Sequence, residues 1–194
     1  MAVIDSSKKE INFKIIYYGP GQSGKTTSLK QLQKLVGAKN KSDVKKIAAE
    51  ERTIFFDFLA LSSDAIGGYK TRFQVYTVPG QVLYDDARRV LLKGVDGIVF
   101  VADAQLEKIQ DNLQSFEELR SHLLEMGYAP QDIPTVVQYN KIDLPSVPKL
   151  DELRRVLNIF HVPDFASVAT KGEGVPEAFK ECVKRVMLNL KEIA

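Results

Sequence analysis

Cysteine is almost missing from this chain. Cys182 stands alone, which excludes an internal disulfide and a cysteine-based zinc site and suits a reducing compartment. The only histidines, His122 and His161, lie far apart with no acidic or cysteine cluster nearby, so they read as neither catalyst nor ligand. No stretch approaches the roughly 18 apolar residues that a membrane span needs. Residues 1–12 carry Asp5, Lys8, Lys9 and Glu10 where a secretory signal would be apolar. Ala2 replaces the glycine required for myristoylation, and the final Leu190-Lys191-Glu192-Ile193-Ala194 is not a prenylation box. The expectation is a cytoplasmic protein without a lipid anchor. Charge of one sign is lacking too. Lys plus Arg number 27 against 25 Asp plus Glu, a net +2 that cannot hold nucleic acid by bulk charge. Arg88, Arg89 and Lys93 read as a solvated strip or a partner contact. Repeats, low-complexity segments and linkers are absent.

What is present fits one globular domain over residues 1–194, with 44% hydrophobic and 27% charged residues. Strand-like and helix-like patterns alternate. Strands are predicted over 11–18, 53–61, 69–78, 97–102, 133–139 and 165–169. Helices are predicted over 25–36, 82–93, 112–126, 150–157 and 175–193. The run 97–102 (GIVFVA) is apolar throughout, as a strand buried on both faces requires. The polar stretch 37–52 reads as mostly loop. The short 62–68 connection suits an antiparallel hairpin. Helical spacing aligns Leu29, Leu32, Leu35 and Val36 on the first helix, and Leu113, Phe116, Leu119 and Leu123 on the third. On the last it aligns Val175, Phe179, Cys182, Val183, Val186 and Leu190, so Cys182 is expected to fill the core. The pattern gives an α/β fold: a mostly parallel six-stranded sheet, one antiparallel edge hairpin, and helices on both faces. Ligands of such sheets bind past the C-terminal strand ends.

The strongest motif is Gly19-Pro20-Gly21-Gln22-Ser23-Gly24-Lys25-Thr26, between a predicted strand and a predicted helix. Gly19, Gly21, Gln22, Ser23 and Gly24 would wrap backbone N–H groups around phosphate oxygens, and the helix N-terminus adds its positive end. Lys25 would reach the β and γ phosphates, and the Thr26 hydroxyl would bind Mg²⁺. Thr27 follows in the first helical turn. The second motif is Asn140-Lys141-Ile142-Asp143, just after a predicted strand. Guanine offers two donors on one edge, and the Asp143 carboxylate can accept both. Asn140 can meet N7, and the Lys141 stem can cover the base face. The plainer alternative is a solvated turn with Asp143 capping the next helix.

Together with the runs YYGPGQSGKTT, ERTIFFDF, KTRFQVYTVPGQ and LKGVDGIVFVAD, these motifs resemble the Ras-superfamily small GTPases, in particular those of bacterial polarity and gliding motility. The resemblance covers about residues 11–190. It implies a P-loop NTPase fold and a GTP/GDP switch with Mg²⁺. It implies that Thr53 caps the metal and γ-phosphate, that the Gly80 N–H senses that phosphate, and that Gln81 orients the attacking water. Arg52, next to Thr53, becomes an arginine finger in cis. The Ala169 N–H, within Val168-Ala169-Thr170, would meet guanine O6. The superfamily's DxxG appears as Thr77-Val78-Pro79-Gly80, so a threonine stands where Mg²⁺ usually has a water-mediated carboxylate. Asp103 is expected to cap the next turn. The apolar strand 53–61, placed at the sheet edge, is expected to receive a dimeric roadblock-type activator. Motility or polarity effectors, and recruitment to a cell pole by partners, are further implications. A scaffold that binds GTP without hydrolysis, or a P-loop kinase, are the alternatives.

Overall fold

The structure, a computed structural model, describes residues 3–37, 45–47, 56–66, 69–79, 85–158 and 161–193. The strands are β1 (Val3–Asp5), β2 (Glu10–Tyr18), β3 (Lys45–Ile47), β4 (Phe56–Ile66), β5 (Tyr69–Thr77), β6 (Gly97–Asp103), β7 (Thr135–Asn140) and β8 (Asp164–Ser167). The helices are α1 (Lys25–Gly37), α2 (Asp85–Leu92), α3 (Ile109–Glu125), α4 (Leu150–Leu157) and α5 (Val175–Ile193). One sheet runs β3-β4-β5-β2-β6-β7-β8, and β1 pairs with β2.

The β5-β2-β6-β7-β8 part is parallel, because each connection between its neighbours passes through a helix. The six expected strands are there. Two three-residue strands join them, both antiparallel: β1 folds back on β2, and β3 lies along β4. Short strands of this kind carry too few residues to show a period. The expected edge position of 53–61 is corrected accordingly. Its described part starts at Phe56, and β3 pairs with Phe56, Asp57 and Phe58 on the outer side. Likewise, 62–66 is strand rather than connection: β4 continues against β5, with a register irregularity between Ser63 and Ile66. Ladder hydrogen bonds to β5 outweigh the weak strand preference of serine and aspartate there.

Period two divides the core. In the central strands Phe13, Ile15, Tyr17, Phe73, Val75, Val99 and Val101 face one side. They pack with Leu29 and Leu32 of α1 and Val175, Ala178, Cys182 and Val186 of α5. Ile16, Tyr18, Ile98, Phe100, Val137 and Tyr139 face the other side, against Leu91 and Leu92 of α2, Leu119 and Leu123 of α3, and Leu153 and Leu157 of α4. β6 is buried along its whole length, as its unbroken apolar run predicts. Cys182 is fully buried, and that burial pushes its thiol up to about 12, so it is packing rather than chemistry. Leu35, expected on the buried face of α1, is exposed, while Leu29 and Leu32 of the same helix are in the core. Arg88, expected on a solvated strip, is instead buried and paired with Glu118 of α3.

The end of β6 is held by a side chain. Asn112 of α3 is fully buried; its Oδ1 accepts from the Asp103 N–H at 2.9 Å and its Nδ2 donates to the Asp103 carbonyl at 2.8 Å. Removing that amide leaves a buried donor and acceptor unpaired. Asn112→Ala is therefore expected to destabilise the protein by about 1–3 kcal/mol in urea unfolding.

Candidate functional site

β2, β6, β7 and β8 run in one direction, so the segments that follow them emerge on the same side of the sheet. The glycine-rich loop after β2 depends on two backbone conformations. Gly19 has φ +135°, and a Cβ there would lie 2.3 Å from the Val101 carbonyl oxygen; Gly24 has φ +107°, and its Cβ would lie 2.1 Å from Asn140 Nδ2. Only glycine meets both demands. Gln22 between them is also left-handed, at φ +62°. The loop runs straight into α1, whose first-turn N–H groups have no helical acceptors. Alternating backbone hands followed by a helix N-terminus make a cradle for an anion.

Lys25 opens α1 and is 7% exposed. Its Nζ donates to the carbonyls of Gly19 at 2.8 Å and Pro20 at 2.6 Å, which lays the ammonium over the loop. Burial first, and then the positive charge of Arg88, pull its pKa from the usual lysine range down to about 7. Arg88 in turn hydrogen-bonds Tyr18, the residue before the loop, and pairs with Glu118. Thr26 is exposed in the same helical turn and Ser23 is buried. Thr77 is buried at the end of β5, beside Tyr17 in the register.

Next to the loop lies a cavity of about 220 Å³. Gln22, Gly24 and Thr27 line one side of it; Asn140, Lys141, Asp143 and Leu144, with 168–170, line the rest. The tertiary structure thus brings together residues that are more than a hundred positions apart. Gly19 and Gly21 belong to the same loop but do not line the cavity. Asp143 is partly exposed at the cavity, with Lys171 Nζ 3.3 Å from its Oδ2.

Two of the expected base contacts also bond within the chain. Asn140, expected to meet a base N7, is buried and serves as a strut as well. Its Nδ2 donates to the Ser23 carbonyl at 2.7 Å, and its Oδ1 accepts from the Ala169 N–H at 2.8 Å and the Ser167 hydroxyl at 3.2 Å. The Ala169 N–H, expected to meet guanine O6, is thus already directed at Asn140. A short amide between two loops satisfies their buried polar groups first. Arg52, Thr53, Gly80 and Gln81 lie outside the described residues.

The structure adds contacts that the sequence motifs do not show. Lys141 reaches Asp103, Ser167 braces Asn140, and Arg88 sits near Lys25. The one signal for Asp103 was its place at the C-terminal end of a wholly apolar strand. Arg88 gave none, because its partner Glu118 is 30 positions away. Among the described residues no group of three or more His, Cys, Asp or Glu side chains could hold a metal ion, and no helix is long and apolar enough to cross a membrane.

Comparison with known proteins agrees with this geometry. The Arf (ADP-ribosylation factor) family matches residues 1–186. The mutual gliding-motility protein MglA of Myxococcus xanthus (strain DK1622) is 48% identical over 193 residues, covering 99% of each chain. A loop and helix start that cradle an anion, a cavity beside them walled by an Asn-Lys-x-Asp turn, and a family match over nearly the whole sequence converge: the chain belongs to the ADP-ribosylation factor family of Ras-like GTPases, which bind a guanine nucleotide and hydrolyse GTP.

Proposed function

We propose that this chain is one GTPase domain, residues 1–194, that acts as a Mg²⁺-dependent switch in bacterial polarity and motility. The observation that carries the nucleotide site is the contact of the two motifs at one cavity. The Asn140 amide is bonded to the phosphate loop at Ser23, so the turn that would read the base is fixed relative to the cradle that would hold the phosphates. The motility role rests on the likeness to MglA, whose name assigns it to gliding motility.

In this reading Gly19, Gly21, Gln22, Ser23, Gly24 and Thr27 bind the phosphate chain with backbone groups, and Lys25 moves from loop carbonyls to β and γ oxygens. Asp143 accepts from guanine N1–H and the 2-amino group, Asn140 donates to N7, and the Ala169 N–H turns to O6. Thr26, exposed in the first turn of α1, carries a hydroxyl oxygen of the kind a hard cation prefers; Thr53 supplies the second protein oxygen. Bound Mg²⁺ supplies charge that neutralises the β and γ oxygens. Gln81 orients water for in-line attack, Gly80 reads the γ-phosphate, and Arg52 places its guanidinium on the charge that develops in the transition state. A roadblock-type dimeric activator docks around 52–53 and 80–81, and fixes Arg52 and Gln81. The protein works in the cytoplasm, and partners bring it to a cell pole.

Three outcomes are expected. Asp143→Asn weakens GDP binding by about 1.5–3 kcal/mol and improves xanthine nucleotide binding, because xanthine has a carbonyl where guanine has the 2-amino group; competition titrations with both nucleotides check it. Arg52→Ala and Gln81→Leu leave GTP affinity nearly unchanged but slow activator-stimulated single-turnover hydrolysis, Arg52→Ala by roughly 10³–10⁵. Hydrolysis within a few-fold of the native rate would move the finger to another chain. The third outcome concerns protons. In the protein alone Lys25 loses its proton near pH 7, whereas contact with phosphate raises its pKa. GDP binding at pH 8 should therefore take up a proton, and the Lys25 share should vanish toward pH 6, where the ammonium is already charged. Calorimetry in buffers of different ionisation enthalpy measures this directly.

A further inference from the structure

We propose that Asp103 is a positioning residue for the base: it anchors the Lys141 ammonium so that the lysine stem, and not its charge, forms the wall of the base cavity. The inference rests on the base-binding reading of residues 140–143.

The carboxylate of Asp103 is unusually well fixed. The residue is 1% exposed, at the last position of β6, and both its backbone groups are clamped by Asn112. Its Oδ1 accepts from the Gln105 N–H at 3.2 Å and Gln105 Nε2 at 3.0 Å, which is the turn cap expected from the sequence. Its other oxygen, Oδ2, lies 2.5 Å from Lys141 Nζ. One carboxylate thus does two things: one oxygen shapes the turn after β6, and the other holds a lysine from the turn after β7.

Lys141 needs that hold. It is a non-glycine residue with φ +68°, a conformation that L residues seldom adopt. Its long side chain has much rotamer entropy to lose, and an ammonium left alone turns to water. The side chain is 28% exposed, so water is within reach. Lys141 lines the cavity but Asp103 does not. With its tip tied to a buried anion beyond the lining, the part of Lys141 that remains to face the cavity is its methylene stem. An apolar stem is what the face of a planar base packs against, and the nearby charge adds a cation–π share. β6 and β7 are neighbours in register, with Asp103 opposite Asn140, so the anchor is built into the sheet.

The test measures release of fluorescently labelled GDP from the full chain. Asp103→Ala should raise the dissociation rate roughly 3- to 30-fold. Asp103→Asn fills the same space and keeps an oxygen for Gln105, but offers Lys141 no charge, so it should release GDP like Asp103→Ala. In a Lys141→Ala background, Asp103→Ala should change release by less than about twofold, since the group it acts through is gone. Single-turnover hydrolysis of bound GTP should stay at the native rate in Asp103→Ala and Asp103→Asn. Native release from Asp103→Asn, or an undiminished Asp103→Ala effect in the Lys141→Ala background, would overturn the inference and leave Asp103 as a turn cap. If Asp103→Ala does not fold, Asp103→Asn in the two Lys141 backgrounds decides the matter. Asp143→Asn is run alongside. An unmoved preference between guanine and xanthine nucleotides would overturn the base site itself, and the inference with it. A moved preference with native release from the Asp103 variants would overturn only the anchor.

Discussion

The buried amide of Asn140 is the contact on which the rest of the site depends. It has one donor bonded to Ser23 of the glycine-rich loop and one oxygen bonded to Ala169 after β8. The carbonyl of Ser23 and the N–H of Ala169 come from opposite ends of the chain. Either one left without a partner in a buried place would cost more than an ordinary hydrogen bond gains. Asn140 satisfies both and fixes the distance between two binding surfaces. It also explains the glycine at position 24, where a Cβ would strike its Nδ2. The base-reading turn and the phosphate cradle are thus packed against each other, and neither can shift without breaking a buried bond.

A second set of polar contacts connects the cradle to the helices on one face. Arg88 of α2 hydrogen-bonds Tyr18 and pairs with Glu118 of α3. His122 of α3 lies 2.8 Å from Asp85 in the first turn of α2, and its other ring nitrogen is 3.4 Å from the Tyr18 hydroxyl. Arg89 bridges Asp85 and Glu125. Tyr18 is therefore shared by α2 and α3 and lies one residue before Gly19. The same arrangement keeps Arg88 close enough to Lys25 to add to the lowering of its pKa that burial begins.

Both sheet faces combine an apolar core with buried polar groups. On the α1 and α5 face Cys182 lies among aliphatic residues, and the fully buried Gln138 of β7 donates to the fully buried Ser28 hydroxyl of α1 at 3.0 Å. The face covered by α2, α3 and α4 holds Asn112, Arg88 and His122 among its buried groups. Buried polar groups of this kind have to be satisfied one by one, and each bond specifies an orientation that apolar packing alone leaves free.

Much of the protein was legible in its sequence. The glycine-rich loop, the strand-to-helix context around it and the Asn-Lys-x-Asp turn are local: their spacing depends on backbone conformation over a few residues. The unbroken apolar run of β6 and the helical stripes of α3 and α5 follow equally from local periodicity. Tertiary structure decided what depends on partners distant in the chain. It gave Asn140 the part of a strut between two loops, put Arg88 inside instead of on a solvated strip, exposed Leu35, and laid β3 along β4. It also joined Asp103 to Lys141. The physical reason is the same in each case. Periodicity reports which way a side chain points from its own element, but whether a polar group is buried, paired or left in water depends on what the rest of the chain brings to meet it.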